Sequence, residues 1–215
     1  MIAARSKAIP LWFFAAFVPM TAAQIARLYQ TTALGWIVCD YTGRIGALLT
    51  LALIPVARAT AFRREPLRTS WPETSLWILG LVVLFPLIGP WINHVVTLWI
   101  PNTRLGRYIA PAGWLSILDL TAGMALTAYH EEIVFRRCAR AVFNPRWGDG
   151  VAMIVITSVL FAAFHWTTGI GNISAVFFFG IYAMCFLRRV GSLWPLIVAH
   201  FLIDFIQFGG LHLLF

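Results

Sequence analysis

The chain has 215 residues, of which 60% are hydrophobic and only 11% are Asp, Glu, Lys or Arg, against about a quarter charged in a soluble domain. That balance excludes an ordinary soluble domain. The net charge of +8 does not read as nucleic-acid binding either, because the arginines sit in short segments between apolar runs, where they set topology and meet anionic headgroups.

The N-terminal stretch "MIAARSKAIPLWFFAAFVPMTAAQ" has the layout of a signal peptide: Arg5 and Lys7, an apolar run, then small residues. Apolar character resumes so soon afterwards that a retained first span is the reading adopted. A bilayer crossing needs about 20 mostly apolar residues. Seven candidate spans follow in order: residues 10–27, 45–62, 75–100, 112–143, 149–167, 173–188 and 192–214. The third holds Pro86 and Pro90 and is expected to be kinked or broken there. The fourth is longer than the hydrocarbon and should protrude. The expected fold is an all-α, polytopic transmembrane helical bundle of about seven spans, six to eight. It divides into N-terminal transmembrane helices over 1–111 and a C-terminal helical core over 112–215. No internal repeat and no second soluble domain is visible.

Basic residues fix the expected orientation. With the N-terminus cytoplasmic, the inner segments hold twelve of the sixteen Lys and Arg residues. The outer side keeps Arg27, Arg44, Arg104 and Arg107. The three cysteines, Cys39, Cys138 and Cys185, form no CxxC pair and no disulfide framework.

Ionisable groups inside spans cost about 2.5–3.5 kcal/mol each on insertion scales, so they face a bundle interior or a cavity. Here they are Glu131, Glu132 and Arg136 on the fourth span, His165 on the fifth, and His200 and Asp204 on the last. Glu132 and Arg136, at i and i+4, share a helix face and should pair. Glu131 points elsewhere and is expected to stay free of arginine. His200 and Asp204 are likewise i and i+4. The turn "NPRWGDG" (144–150) lies midway between Glu131 and His165. Counting through the next two reversals brings His200 to a similar depth. A carboxylate and two imidazoles in one low-dielectric plane suit general acid–base activation of water and stabilisation of an oxyanion.

"EEIVFR" (131–136), "FAAFH" (161–165) and "HFLID" (200–204) together resemble the EExxxR, FxxxH and HxxxN/D motifs of the Abi or CPBP family, the CAAX-prenyl-protease-like and bacteriocin-processing intramembrane proteases. The resemblance covers residues 112–215. It implies a glutamic-type endopeptidase, a hydrolase of membrane-tethered peptides or proteins, multi-pass in the plasma membrane and without an obligatory cofactor. By motif position, Glu131 would activate water and His165 assist. His200 and Asp204 would form the oxyanion site. Glu132, Arg136 and Phe161 would support them. Asp204 stands where better understood members carry Asn, and an ionised carboxylate cannot donate to an oxyanion. Asp204 would instead be protonated, orient His200, or ligate a metal.

Two alternatives follow from the same residues. In a zinc metalloprotease, Glu131, His165, His200 and Asp204 would be the ligands. In a non-enzymatic bacteriocin-immunity or scaffold protein, the polar cluster would only hold helices together; a proton-relay transporter is a weaker third reading, because the cluster lies in one plane. His130 does not open an HExxH zinc motif, since Val134 occupies the second histidine's place. Asp119 and His94 are placed nearer the outer face, and His212 at an interface.

Overall fold

The computed structural model describes residues 9–210; Arg5, Lys7 and His212 lie outside them. The described residues contain helices and loops but no strand. In chain order the helices are α1 (Leu11–Ala15), α2 (Val18–Arg27), α3 (Ala33–Leu53), α4 (Pro55–Ala61), α5 (Trp71–Trp99), α6 (Trp114–Leu118), α7 (Met124–Glu132), α8 (Ala139–Trp147), α9 (Val151–Ala163), α10 (Ile170–Val190) and α11 (Trp194–Phe208). Two π-helical segments, Asp119–Gly123 and Ile133–Cys138, join α6, α7 and α8 into one rod. Taken as rods, the helices make seven alternating passes, with α1–α2, α3–α4 and α6–α8 each counted once. Three of them, α3, α5 and α10, are long and apolar enough to cross a membrane. Large side chains such as Leu11, Leu53 and Trp99 are exposed on the outside, the arrangement a lipid-facing surface takes.

The second and third spans differ from the sequence expectation. The second pass begins at Ala33, twelve residues before residue 45, because Thr32 caps it by accepting from Gly35 N at 3.1 Å. The pass then breaks at Ile54, whose extended backbone precedes Pro55. The third is unbroken: α5 runs through Pro86 and Pro90 over 29 residues, about 43 Å at 1.5 Å per residue. Proline is tolerated there because neighbouring helices hold the rod in place around the lost hydrogen bonds. Ser70 caps its start by accepting from Glu73 N.

The core is built around Phe135, Phe161, Phe179, Met184 and Phe186, all nearly inaccessible. Gly180 allows α9 and α10 to approach closely, since a Cβ there would lie 3.0 Å from Ser158 Cα.

The ends of the rods form two unlike faces. On one, Arg68 N donates to Val190 O at 2.8 Å, Arg189 pairs with Glu73, and Asp149 bridges Arg140 and Arg188. Nine arginines belong to this face: Arg58, Arg63, Arg64 and Arg68 around α4 and the following loop, Arg137, Arg140 and Arg146 on the approach to the next turn, and Arg188 and Arg189 at the end of α10. On the other, Leu105 and Gly106 donate to Thr167 O, and Gly171 N donates to Asn102. Among the described residues, only Arg27, Arg104 and Arg107 lie there.

Candidate active site

The site is assembled where α3, α7, α9 and α11 converge. Glu131 and Glu132 close α7, just before the Ile133–Cys138 π-helical segment. Such bulges re-aim side chains and are frequent at functional sites. Both carboxylates are buried, Glu132 completely. Arg136 Nε stands 3.2 Å from Glu132 Oε2, an ion pair between two fully buried groups. It is out of hydrogen-bond alignment. Instead its guanidinium lies over the Phe161 ring at 4.2 Å, a cation–π contact strengthened by desolvation. Phe161 thus packs between the motif helix and His165, whose ring is 4.8 Å away.

His165 does not lie within a span. It follows the end of α9, on a turn in which its amide donates to Ala162 O and its carbonyl accepts from Thr168 N. The ring is fixed by Nδ1, 2.9 Å from the Phe161 carbonyl. A carbonyl can only accept, so Nδ1 carries the proton and Nε2 is left for chemistry.

His200 sits among three carboxylates. Its Nδ1 donates to Glu132 Oε1 at 2.8 Å, while its Nε2 lies 3.9 Å from Glu131 Oε2 and 3.6 Å from Asp204 Oδ2. Asp204, one helical turn along α11, is buried and faces the same space.

Glu131, expected to stay free of arginine, is paired with one. Its Oε1 accepts from Arg44 Nη1 at 2.8 Å, so it is not free of arginine. Arg44 belongs to α3, which the sequence reading begins at residue 45, and is buried instead of lying in an outer loop. Arg44 Nε also binds Asp40 Oδ2 at 2.8 Å, and Asp40 pairs in turn with Arg27. The result is a chain of alternating charge, Arg27–Asp40–Arg44–Glu131, buried from Asp40 inward. Asp40 and Arg44 are four residues apart within a helix, a signal present in the sequence but hidden because their charge lowers local hydropathy. His130 also lies near this chain, its Nδ1 3.4 Å from Arg44 Nη1.

A cavity of about 500 Å³ is lined by Glu131, His165, His200 and Asp204 together, with Arg44, Asp40 and Phe161. Its far wall is the proline face of α5: Phe85, Pro86, Gly89 and Pro90. The first hundred residues therefore contribute polar groups as well as spans. Asp119 lies on the cavity wall too, buried, accepting from Tyr41 at 3.1 Å and Tyr108 at 2.5 Å. For Tyr108, in the loop before α6, burial and then the bond to Asp119 raise the phenol above its ordinary range. His94 is exposed on α5.

The four residues that would hold zinc share the cavity, yet no three His, Cys, Asp or Glu side chains among the described residues are arranged to hold a metal ion.

Residues 113–206 match the model of a protein family described as Type II CAAX prenyl endopeptidase Rce1-like, within the Abi or CPBP group. The family suggests an intramembrane protease of CAAX type. No curated protein and no solved structure matches the chain.

Proposed function

From an Rce1-like region over residues 113–206, we propose that this protein is a multi-pass plasma-membrane endopeptidase that cleaves membrane-tethered peptides with water activated by Glu131. The observation that carries the reading is the division of labour between the two Glu131 oxygens. Oε1 is anchored by Arg44, while Oε2 faces His200 Nε2 in the cavity that His165 also lines. Glu132 is not available for this task. It is fully buried, bound to His200 and Arg136, and absent from the cavity wall.

In the proposed cycle, Glu131 Oε2 takes a proton from water as its oxygen attacks the scissile carbonyl carbon. His165 Nε2 orients that water. His200, as an imidazolium, keeps Nδ1–H on Glu132 and offers Nε2–H to the developing oxyanion. Collapse breaks the C–N bond, and the proton held by Glu131 passes to the departing nitrogen. Positioned acid–base groups of this kind supply about 10²–10⁴-fold each, and an oxyanion donor about 10²–10³-fold. Asp204, whose Oδ2 lies 3.6 Å from His200 Nε2, orients His200 for that role.

Purified protein with Glu131→Gln or His165→Ala, tested on a membrane-tethered peptide, should lose cleavage while remaining folded in detergent. Full cleavage by both variants rejects the reading. The non-enzymatic alternative draws on the buried charge chain, which suits a helix-holding network. It requires Glu131→Gln to leave the cellular phenotype intact.

A further inference from the structure

We infer that the substrate reaches Glu131 from the arginine-poor face, so that the class it serves is peptide exposed on the non-cytoplasmic side of the membrane. The inference rests on the proposed proteolysis and adds the side from which the peptide comes. Glu131 and His200 form the inner end of the cavity, and its rim is made by Arg107 and Tyr108, Thr167 and Thr168, and Phe208. All of these belong to the face where Gly106 binds Thr167. No residue of the arginine-rich turns at 58–70, 137–150 or 186–196 lines it.

The opposite direction is closed. Behind Glu131 stand Glu132, Ile133, Phe135 and Arg136, each at most 1% exposed. Beyond them a separate depression between Phe62, Arg137 and Trp194 opens on the arginine-rich face and shares no lining residue with the first.

Charge then assigns the faces. Short loops rich in Lys and Arg stay in the cytoplasm, and the bias is read from residues close to the span ends. Among the described residues nine arginines stand against three, with Arg44 and Arg136 buried between them. The cavity mouth therefore opens away from the cytoplasm. A lipid-modified C-terminus held in the cytoplasm would meet the closed end. The stub of an exported, membrane-anchored chain would meet the open one.

The test uses the full chain in cells with Cys39, Cys138 and Cys185 replaced by alanine, and a membrane-impermeant maleimide as probe. Thr168→Cys marks the rim. Gly150→Cys marks the arginine-rich turn, where a Cβ meets nothing within 4 Å. Thr168→Cys should label in intact cells and lose labelling in inverted vesicles, and Gly150→Cys should do the reverse. Thr103→Cys, on the exposed loop, replaces Thr168→Cys if that variant does not accumulate. A rim cysteine that labels only from the cytoplasmic side, or equally from both, overturns the inference. Adding Glu131→Gln separates the two readings, since labelling does not depend on turnover. A single-span reporter with one cleavable segment placed on either side should be cut only when the segment faces outward. Cutting of the inward form alone also overturns the inference.

Discussion

Arg44 and Glu131 stand 87 positions apart in the chain, yet their side chains meet as a buried ion pair at 2.8 Å. The contact ties a helix outside the matched region to the carboxylate on which the proposed chemistry turns. Removing one partner of a buried pair costs about 3–5 kcal/mol, because the other is left charged and uncompensated. Arg44→Met should therefore lower the melting temperature in detergent and reduce cleavage. Glu131→Gln combined with Arg44→Met should destabilise less than the sum of the singles. Additive losses would show that the pair does not act as a unit.

Arg136 is held by one carboxylate and two aromatic faces, with Phe179 at 5.7 Å behind Phe161. Replacing it by Met keeps most of the volume but strands Glu132 beside His200, at a cost on the order of 3 kcal/mol. Lysine should rescue poorly, since it lacks the planar cation that stacks on Phe161. Denaturation of the three proteins in matched detergent decides the point, and equal stability of Lys and Arg proteins would refute the stacking argument.

Proteolysis should survive exhaustive chelation, with no stoichiometric metal found by elemental analysis. The reason is geometric: among the described residues no three His, Cys, Asp or Glu side chains are arranged to hold a metal ion. Activity that vanishes on chelation and returns with zinc would revive the metalloprotease reading.

Asp149, in the turn between α8 and α9, is clamped by Arg140 at 2.7 Å and Arg188 at 3.5 Å. Burial pushes its carboxyl up, but the bond to Arg140 and the two arginine charges outweigh that and hold it below the usual carboxylate range. A depressed folded value means that the clamp stabilises above the unfolded pKa of about 3.9 and fades as pH falls through the folded one. The melting temperatures of wild type and Asp149→Asn should therefore differ at neutral pH and converge below about pH 3. A gap that persists in acid would place the stabilisation elsewhere.

Long apolar runs, arginine-bearing turns and three spaced motifs were enough to read a helical membrane bundle and to single out Glu131, His165, His200 and Asp204, all of which line one cavity. Those features are local: hydropathy decides what enters lipid, and helical periodicity decides which neighbours share a face. The pairing of Glu132 with Arg136 was legible for the same reason, being one turn apart on one rod. The partner of Glu131 was not legible. Arg44 reaches it only because α3 packs on α7, and no spacing rule links positions on rods separated by an intervening pass. Nor could counting show that His200 donates a hydrogen bond to Glu132, that Phe161 lies under a guanidinium, or that the cavity opens on one face alone. Those depend on how rods rotate about their axes once packed, a choice made by side-chain shape and buried charge across the whole bundle.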